Sequence, residues 1–226
     1  MTVFFEYPKA ALFGRVLPKS KIYAHASAGA KLKQLFVDQV DQIIWQYKLA
    51  PETINLGATK SVSEIQVFKI NLRTSKISEE VLRAIDKAIP FPIIFELTHA
   101  GKRKIIAAYK RPSEADSTKW VVSEYFGTDW EAEDSPRQPL PQALNLNSLY
   151  EALLRPLLPA TKKSDEPIAS RVLRMETIRA KQREAERIKA RLAKEKQFNK
   201  RVAINAELRD VTKELKRLGG AASAKE

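Results

Sequence analysis

Four polar residues in the middle of the chain are of the types that a metal-dependent nuclease uses: Glu64, Asp86, Glu96 and Lys110. Two carboxylates beside a lysine can hold Mg²⁺ and activate a water molecule for attack on a phosphodiester. The spacing departs from that chemistry, because Glu96 is followed two positions on by Thr98 rather than by a lysine, and Asp86 falls in a helical pattern. The simpler interpretation, solvated or ion-paired side chains beside apolar strands, is therefore favoured.

Histidine, cysteine and glycine motifs indicate no other reaction. The two histidines, His25 and His99, have no partner at the spacing of metal ligands. The chain has no cysteine, which excludes disulfides and thiolate zinc sites. Gly101 and Lys102 lack the upstream glycine of a phosphate-binding loop. We therefore predict no catalytic residue, no metal and no cofactor.

Positive charge is distributed unevenly along the 226 residues, whose formal net charge is +13. Residues 1–160 contain 21 Lys and Arg against 17 Asp and Glu, whereas residues 161–226 contain 19 against 10. The net charges of the two parts are therefore +4 and +9. A basic appendage on a nearly balanced domain favours a polyanion or an acidic protein as partner.

The basic residues of this tail are the candidates for nucleic-acid contact. Phosphate neutralisation by such a surface releases counterions and gives sequence-independent, salt-sensitive affinity. A solvated coiled-coil surface, kept in water by Lys, Arg and Glu pairs, is an alternative of equal weight. The basic run extends to Lys196, Lys200 and Arg201. The residues predicted to bind nucleic acid are Arg171, Arg174, Arg179, Lys181, Arg183, Arg187, Lys189, Arg191 and Lys194.

The core of the predicted fold lies in the block from Val62 to Phe126, which is rich in apolar residues. Its β-branched residues predict a strand at Val62–Leu72, after which Ser78 is expected to cap a helix that Pro90 ends. Further strands are predicted at Ile93–Thr98, Lys104–Lys110 and Trp120–Phe126. This order predicts an α+β core domain over residues 1–126, with a small antiparallel or mixed sheet flanked by helices.

The segments on either side of this block also have interpretable patterns. Apolar residues at helical spacing predict a helix at Lys31–Leu49. Prolines and acidic residues predict a linker at 127–166 containing a short helix, Ser148–Leu158, with Ser148 as its cap.

The C-terminal region is predicted to be a long basic amphipathic helix, coiled-coil-like, over residues 167–218, with a flexible tail at 219–226. From Ile168 to Leu218 it has no Pro or Gly, and most apolar residues recur every three or four positions. A helical hairpin that turns near Gln197–Lys200 fits the same pattern. The apolar stripe can bury itself in a dimer, on its own domain or on a partner protein.

The cellular compartment of the protein is predicted from features that the sequence lacks. The N-terminal residues do not have the layout of a signal peptide, and no apolar run approaches the roughly 20 residues of a membrane span. The absence of cysteine fits a reducing compartment. We therefore expect a soluble, cytoplasmic protein without membrane contact.

Several stretches taken together resemble one protein family. They are Gly14–Lys19, Ile44–Leu49, Glu64–Phe68, Ile85–Leu97 and Glu195–Lys200. The chain resembles, over nearly its full length, the bacterial and archaeal domain-of-unknown-function family 4391. Genes of that family tend to lie beside a helicase and a DNA methyltransferase in restriction-type phage-defence islands. The resemblance implies a companion subunit of a DNA-modifying or DNA-translocating complex, and it supplies no catalytic residues.

The charge asymmetry and the resemblance together lead us to expect a non-catalytic accessory subunit of a DNA-targeting defence complex. Its α+β domain would dock on a helicase or methyltransferase, and its basic helix would contact duplex DNA or bridge subunits. Two alternatives stay open at this point. One is a divergent metal-dependent nuclease or other effector, and the other is a coiled-coil adaptor that binds no nucleic acid and dimerises through the C-terminal helix.

Overall fold

The computed structural model describes residues 3–113, 115–116, 119–159 and 166–219. Contacts divide the chain into two compact units, residues 1–159, here called the body, and residues 160–226, which contain a helical hairpin. The helices of the body are α1 (Lys19–Ala26), α2 (Ala30–Gln39), α3 (Pro51–Ile54), α4 (Glu79–Ala88) and α5 (Leu146–Leu154). Its strands are β1 (Phe5–Glu6), β2 (Leu12–Val16), β3 (Val40–Leu49), β4 (Ile65–Leu72), β5 (Ile93–His99), β6 (Lys102–Pro112), β7 (Trp120–Gly127), β8 (Glu131–Ala132) and β9 (Gln138–Pro139).

The main sheet is mixed and runs in the order β2-β3-β4-β5-β6-β7, with β8 beside β6. Strands β4 and β5 are parallel, while the other neighbours along this path are antiparallel. The short strands β1 and β9 pair separately in parallel. The predicted α+β class with a mixed sheet flanked by helices is therefore confirmed.

Helix α4 forms where its capping and stop signals predict it. The side chain of Ser78 accepts a hydrogen bond from the backbone N–H of Glu80, and two glutamates occupy the first turn, at the positive end of the helix dipole. The helix ends at Ala88, two residues before Pro90, because a residue that precedes proline is disfavoured in the helical conformation. It thus connects the parallel strands β4 and β5.

A two-residue turn joins β5 to β6, as the sequence predicts. Ala100 and Gly101 both have positive φ, at 48° and 72°. Two consecutive residues of that conformation match the right-handed twist of an antiparallel hairpin, and the second position suits glycine.

The helix predicted at Lys31–Leu49 is wrong in its second half. The structure has α2 up to Gln39 and then the ten-residue strand β3. That strand pairs with β2 on one side and with β4 on the other. Its β-branched and aromatic residues suit a central strand, and these two ladders outweigh the helical spacing of its apolar residues.

Helices and loops cover both faces of the sheet. On one face, Ile22 of α1, Phe36 of α2 and Ile85 of α4 form a single buried cluster with Phe68 and Phe95 of the sheet. On the other face, Tyr150 of α5 stacks on Tyr109 of β6, with ring centroids 6.1 Å apart. Adjacent residues of a strand point to opposite faces, so every second side chain of a strand packs into the same layer.

The short helix of the predicted linker begins earlier than expected. Its cap is Asn145, whose side chain accepts from the backbone N–H of Ser148, while Ser148 reaches back to the N–H of Asn145. The assignment of Ser148 as the capping residue is therefore wrong, because it occupies the third position of this reciprocal capping box. A 3-10 turn at Arg155–Leu157 follows, where Pro156 interrupts the helix.

The described part of the second unit contains α6 (Ile168–Lys194) and α7 (Phe198–Gly219). Of the two arrangements that the sequence left open, the structure adopts the hairpin rather than one continuous helix. Within the described residues, no helix has both the length and the apolar character that crossing a membrane requires.

Candidate nucleic-acid interface

Asp86 and Lys110, two of the residues considered for a nuclease site, form a buried pair under the last turn of α4. Nζ of Lys110 lies 3.4 Å from Oδ1 of Asp86 and also donates to the backbone carbonyls of Asp86 and Ile89. The hydroxyl of Tyr125 donates to Oδ2 of Asp86. Burial raises the pKa of Asp86 and lowers the pKa of Lys110, while the attraction between the pair opposes both shifts. The ammonium thus satisfies carbonyls at the helix end, which is a structural task.

Glu96 is held by a different cation. Its carboxylate forms a two-pronged ion pair with Arg137, with N–O distances of 2.9 and 2.7 Å. The hydrogen bond to Glu96 is the largest cause that raises the pKa of Arg137. Since Phe95 packs against the helices that include α4, the next residue along the strand faces the other side of the sheet. Glu96 and Asp86 therefore stand on opposite faces.

The remaining candidates for chemistry, Glu64, His99 and His25, have three different surroundings. Glu64 lies 3.2 Å from Nζ of Lys48. Nδ1 of His99 lies 3.1 Å from the carbonyl oxygen of Leu72, and His25 is exposed at the end of α1. In the described parts of the chain, no group of three or more His, Cys, Asp and Glu side chains could hold a metal ion.

The hairpin is held together by an apolar seam between its two helices. Ala185 and Ile188 of α6 and Ile204 and Val211 of α7 are buried there. Leu192, Leu208 and Leu215 pack against them. Part of the apolar stripe recognised in the sequence is thus covered within one chain. Each fully buried Ile, Val or Leu contributes about 1.5–3 kcal/mol.

Glu195 forms the turn between the helices. Its backbone N–H donates to the carbonyl of Arg191 and closes α6, while its carboxylate accepts from the backbone N–H of Gln197 at 2.8 Å. That hydrogen bond is the largest cause that lowers the pKa of Glu195, and nearby Lys200 and Arg201 act in the same direction. A carboxylate at the start of α7 also stabilises the positive end of the helix dipole.

Two ion pairs bridge the helices and neutralise two of the predicted binding residues. Lys181 of α6 lies 3.0 Å from Glu214 of α7, and the hydrogen bond between them is the largest cause that raises the pKa of Lys181. Arg191 of α6 lies 3.2 Å from Glu207 of α7. The two glutamates of α7 therefore face α6 rather than the outer surface of α7.

Two further predicted residues are paired within the same unit. Arg174 forms a two-pronged pair with Glu166, at 3.1 and 2.6 Å, and Lys189 lies 2.8 Å from Glu186. The pair of Lys189 is exposed and contributes about 0.2–1 kcal/mol, so Lys189 can exchange Glu186 for another anion. The pair of Arg174 is partly buried, with side chains 24% and 13% exposed, and is held more firmly.

The other five predicted residues differ in exposure. Arg171 is only 5% exposed. Arg183, Arg187 and Lys194 are exposed, and Arg179 is half-buried. Among the described residues, Arg187 and Lys194 form no ion pair. Since Arg179, Arg183 and Arg187 recur every fourth residue, they follow one face of α6.

Helix α7 has a further basic face, outside the residues predicted to bind nucleic acid. Arg209, Lys213 and Lys216 are exposed and recur at steps of four and three residues. They lie on the side of α7 away from the seam, as its periodicity requires, and form no ion pair within the described part of the chain. Extending the helical period outward from Ile204 and Val211 would have identified them.

Comparison with known proteins assigns the chain to a family. No curated protein matches the chain, and no solved structure matches it either. The family model described as Domain of unknown function (DUF4391) matches residues 5–215, which include nearly all of the body and most of the hairpin. The chain therefore belongs to the DUF4391 family of domains of unknown function.

Proposed function

We propose that this protein is a non-catalytic accessory subunit of a bacterial DNA-targeting defence complex, and that its hairpin binds duplex DNA through phosphate contacts. The body would dock on a helicase or a DNA methyltransferase, the enzymes whose genes tend to accompany this family. The hairpin would hold the complex on DNA without choosing a sequence.

The observation that carries this proposal is the basic charge left on the outer faces of the hairpin. Residues 161–226 have a net charge of +9. Of the three acidic residues of α7, Glu207 and Glu214 are directed to the other helix, so only Asp210 is left to offset the outer charges of α7. Basic residues four positions apart lie about 6 Å apart along a helix, and a helix of about 10–12 Å diameter fits the roughly 12 Å major groove.

A binding mode based on phosphates has a characteristic salt dependence. Each neutralised phosphate contributes about −0.9 to the slope of log K against log salt on duplex DNA. The affinity should therefore depend steeply on salt and little on sequence. The adaptor alternative predicts no binding even at low salt.

The first experiment removes four basic residues that form no ion pair among the described residues. A variant with Arg187, Lys194, Arg209 and Lys213 all changed to Ala should bind a duplex at least tenfold more weakly at low salt. Its salt slope should shrink by about 2, because the outer faces of α6 and α7 point away from each other and a duplex contacts two of the four residues at a time. A control variant with the same change in charge replaces the exposed body lysines Lys9, Lys21, Lys60 and Lys76. It should bind like the wild type. Equal losses in the two variants, or no wild-type binding, would refute the DNA-binding role.

The second experiment addresses the partner. The full chain, tagged and expressed in its native host, should co-purify with a helicase or a methyltransferase after nuclease treatment. The four-alanine hairpin variant should retain that partner, because docking is assigned to the body. If neither enzyme is recovered with either protein, the accessory role is refuted.

A further inference from the structure

Two exposed apolar side chains lie beside the turn of the hairpin. Phe198, the first residue of α7, is 78% exposed, and Val202, one helical turn later, is 54% exposed. Residues four apart lie next to each other on a helix, so they form one patch, here called the turn patch. The patch lies away from the seam that Ile204 and Val211 form with α6.

The segment of chain that contains the turn patch is predominantly basic. Among residues 194–201, Lys194, Lys196, Lys200 and Arg201 are basic and Glu195 alone is acidic. The carboxylate of Glu195 accepts the backbone N–H of Gln197. That carboxylate offsets the positive end of the α7 dipole, so the four cations are the source of the positive charge. An occupant of this patch must therefore be anionic at its rim and offer an apolar surface at its centre.

Duplex DNA opened at one base step has that combination. Its phosphates form an anionic rim, and the faces of unstacked bases form an apolar centre on which an aromatic ring can stack. Proteins that insert Phe, Leu or Met between base pairs kink the duplex, and they do so most readily at steps that stack poorly. The ring of Phe198 has the chemistry and exposure for this insertion, and Val202 lies behind it.

We propose that Phe198, supported by Val202, is a wedge that inserts at weakly stacked positions of the bound duplex, such as bulges, nicks and flexible pyrimidine–purine steps. The inference rests on the proposed DNA-binding function of the hairpin and adds the kind of DNA site it prefers. Phosphate contacts supply affinity for any duplex, while the wedge selects the position.

The experiment compares two 30-base-pair duplexes of one sequence, one intact and one with a two-nucleotide bulge next to a 2-aminopurine. Wild-type protein should bind the bulged duplex about tenfold more tightly, because the bulge already disrupts the base stacking that insertion into an intact duplex must break. It should also raise the 2-aminopurine fluorescence. Phe198→Ala should bind the intact duplex within about twofold of wild type and lose both the preference and the fluorescence change.

Leu173→Ala is the matched control, because Leu173 is an exposed apolar residue of the same unit, 65% exposed on α6 and distant in sequence from the turn. It should behave like the wild type. A preference that survives in Phe198→Ala, or one that disappears equally in Leu173→Ala, overturns the wedge. Binding to neither duplex by the wild type refutes the proposed function itself, so the two failures are distinguishable.

Two other occupants of the patch are tested in parallel. If Phe198→Ala lowers the melting temperature by more than about 3 °C, the ring is packed within the chain and the wedge is refuted. If the wild type binds vesicles of phosphatidylserine and phosphatidylcholine through Phe198 and shows no bulge preference, the patch serves an anionic lipid surface and the wedge is likewise refuted. Unchanged melting and no vesicle binding support the wedge.

Discussion

The buried pair of Lys110 and Asp86 is satisfied by several partners within the body. Lys110 is 1% exposed and reaches both carbonyls at the end of α4 as well as Asp86. The carboxylate of Asp86 also accepts the hydroxyl of Tyr125. Replacing one member of such a group strongly destabilises the fold, because the remaining members stay buried and lose a partner.

Changing Lys110 to Met should lower the free energy of unfolding by about 3–5 kcal/mol, since Oδ1 of Asp86 and two carbonyls would lose their donor. Urea unfolding followed by circular dichroism measures the change. The control is Lys102→Met on the same strand, which is exposed and should alter stability by no more than about 0.5 kcal/mol. The double variant Asp86→Asn, Lys110→Met should be more stable than Lys110→Met alone. A loss below about 1 kcal/mol in Lys110→Met would contradict this role.

At the scale of elements, the hairpin combines a short apolar seam with a turn that depends on one side chain. The seam buries few residues, so each of them contributes a large share of the free energy that holds α6 against α7. The cross-helix ion pairs at its flanks are partly exposed and contribute little to stability. We expect apolar contacts to determine whether α6 and α7 stay together.

Ile188→Ala should therefore destabilise the hairpin by about 2–4 kcal/mol, because it removes buried methyl groups and leaves a cavity. Hydrogen exchange of the α6 and α7 amides should accelerate, while the amides of β4 and β5 keep their protection. Leu173→Ala, exposed on the same helix, should change little. Equal acceleration throughout the chain would show that the hairpin does not behave as a unit of its own.

The turn should depend on pH through Glu195. Its pKa is lowered in the folded state, so its stabilising effect is complete above the unfolded value of about 4.3 and is lost as the pH falls through the lower folded value. The amide proton shift of Gln197 should titrate with a midpoint below about 4.3. In Glu195→Gln that titration should disappear, whereas in Glu186→Gln it should remain. A midpoint at or above the unfolded value would contradict the hydrogen bond.

At the scale of the whole molecule, two of the hydrophobic clusters formed by the described residues share no residue. The cluster around Phe68 and Phe95 draws on α1, α2, α4 and the sheet. The seam around Ile188 and Ile204 draws on α6 and α7. Each cluster lies within one compact unit, so each unit has its own source of stability.

The body alone, residues 1–159, should fold and unfold in a single cooperative urea transition. Lys110→Met should cost the isolated body the same free energy as it costs the full chain, within about 0.5 kcal/mol, because distant sites add independently. The isolated body should also fail to bind duplex DNA at low salt. Failure to fold would show that the body needs residues from the second unit.

Local sequence signals were sufficient where the determining contacts are close in the chain. Ser78, the two prolines after α4 and the Ala-Gly turn between β5 and β6 act over a few residues, and they predicted those boundaries well. Strand β3 was missed because its conformation depends on partners in β2 and β4 that lie far away in the sequence. The helical spacing of the apolar residues in β3 affects its backbone conformation less than the pairing with β2 and β4 does.

The sequence by itself determined the α+β class, the family resemblance and the concentration of positive charge after residue 160. Only the tertiary structure decided which of those charges remain available. Lys181 meets Glu214, and Arg191 meets Glu207, because the chain reverses at Glu195 and brings distant positions within 4 Å. Coulombic attraction depends on distance in space, so the charge that a ligand meets becomes known only when the fold is known.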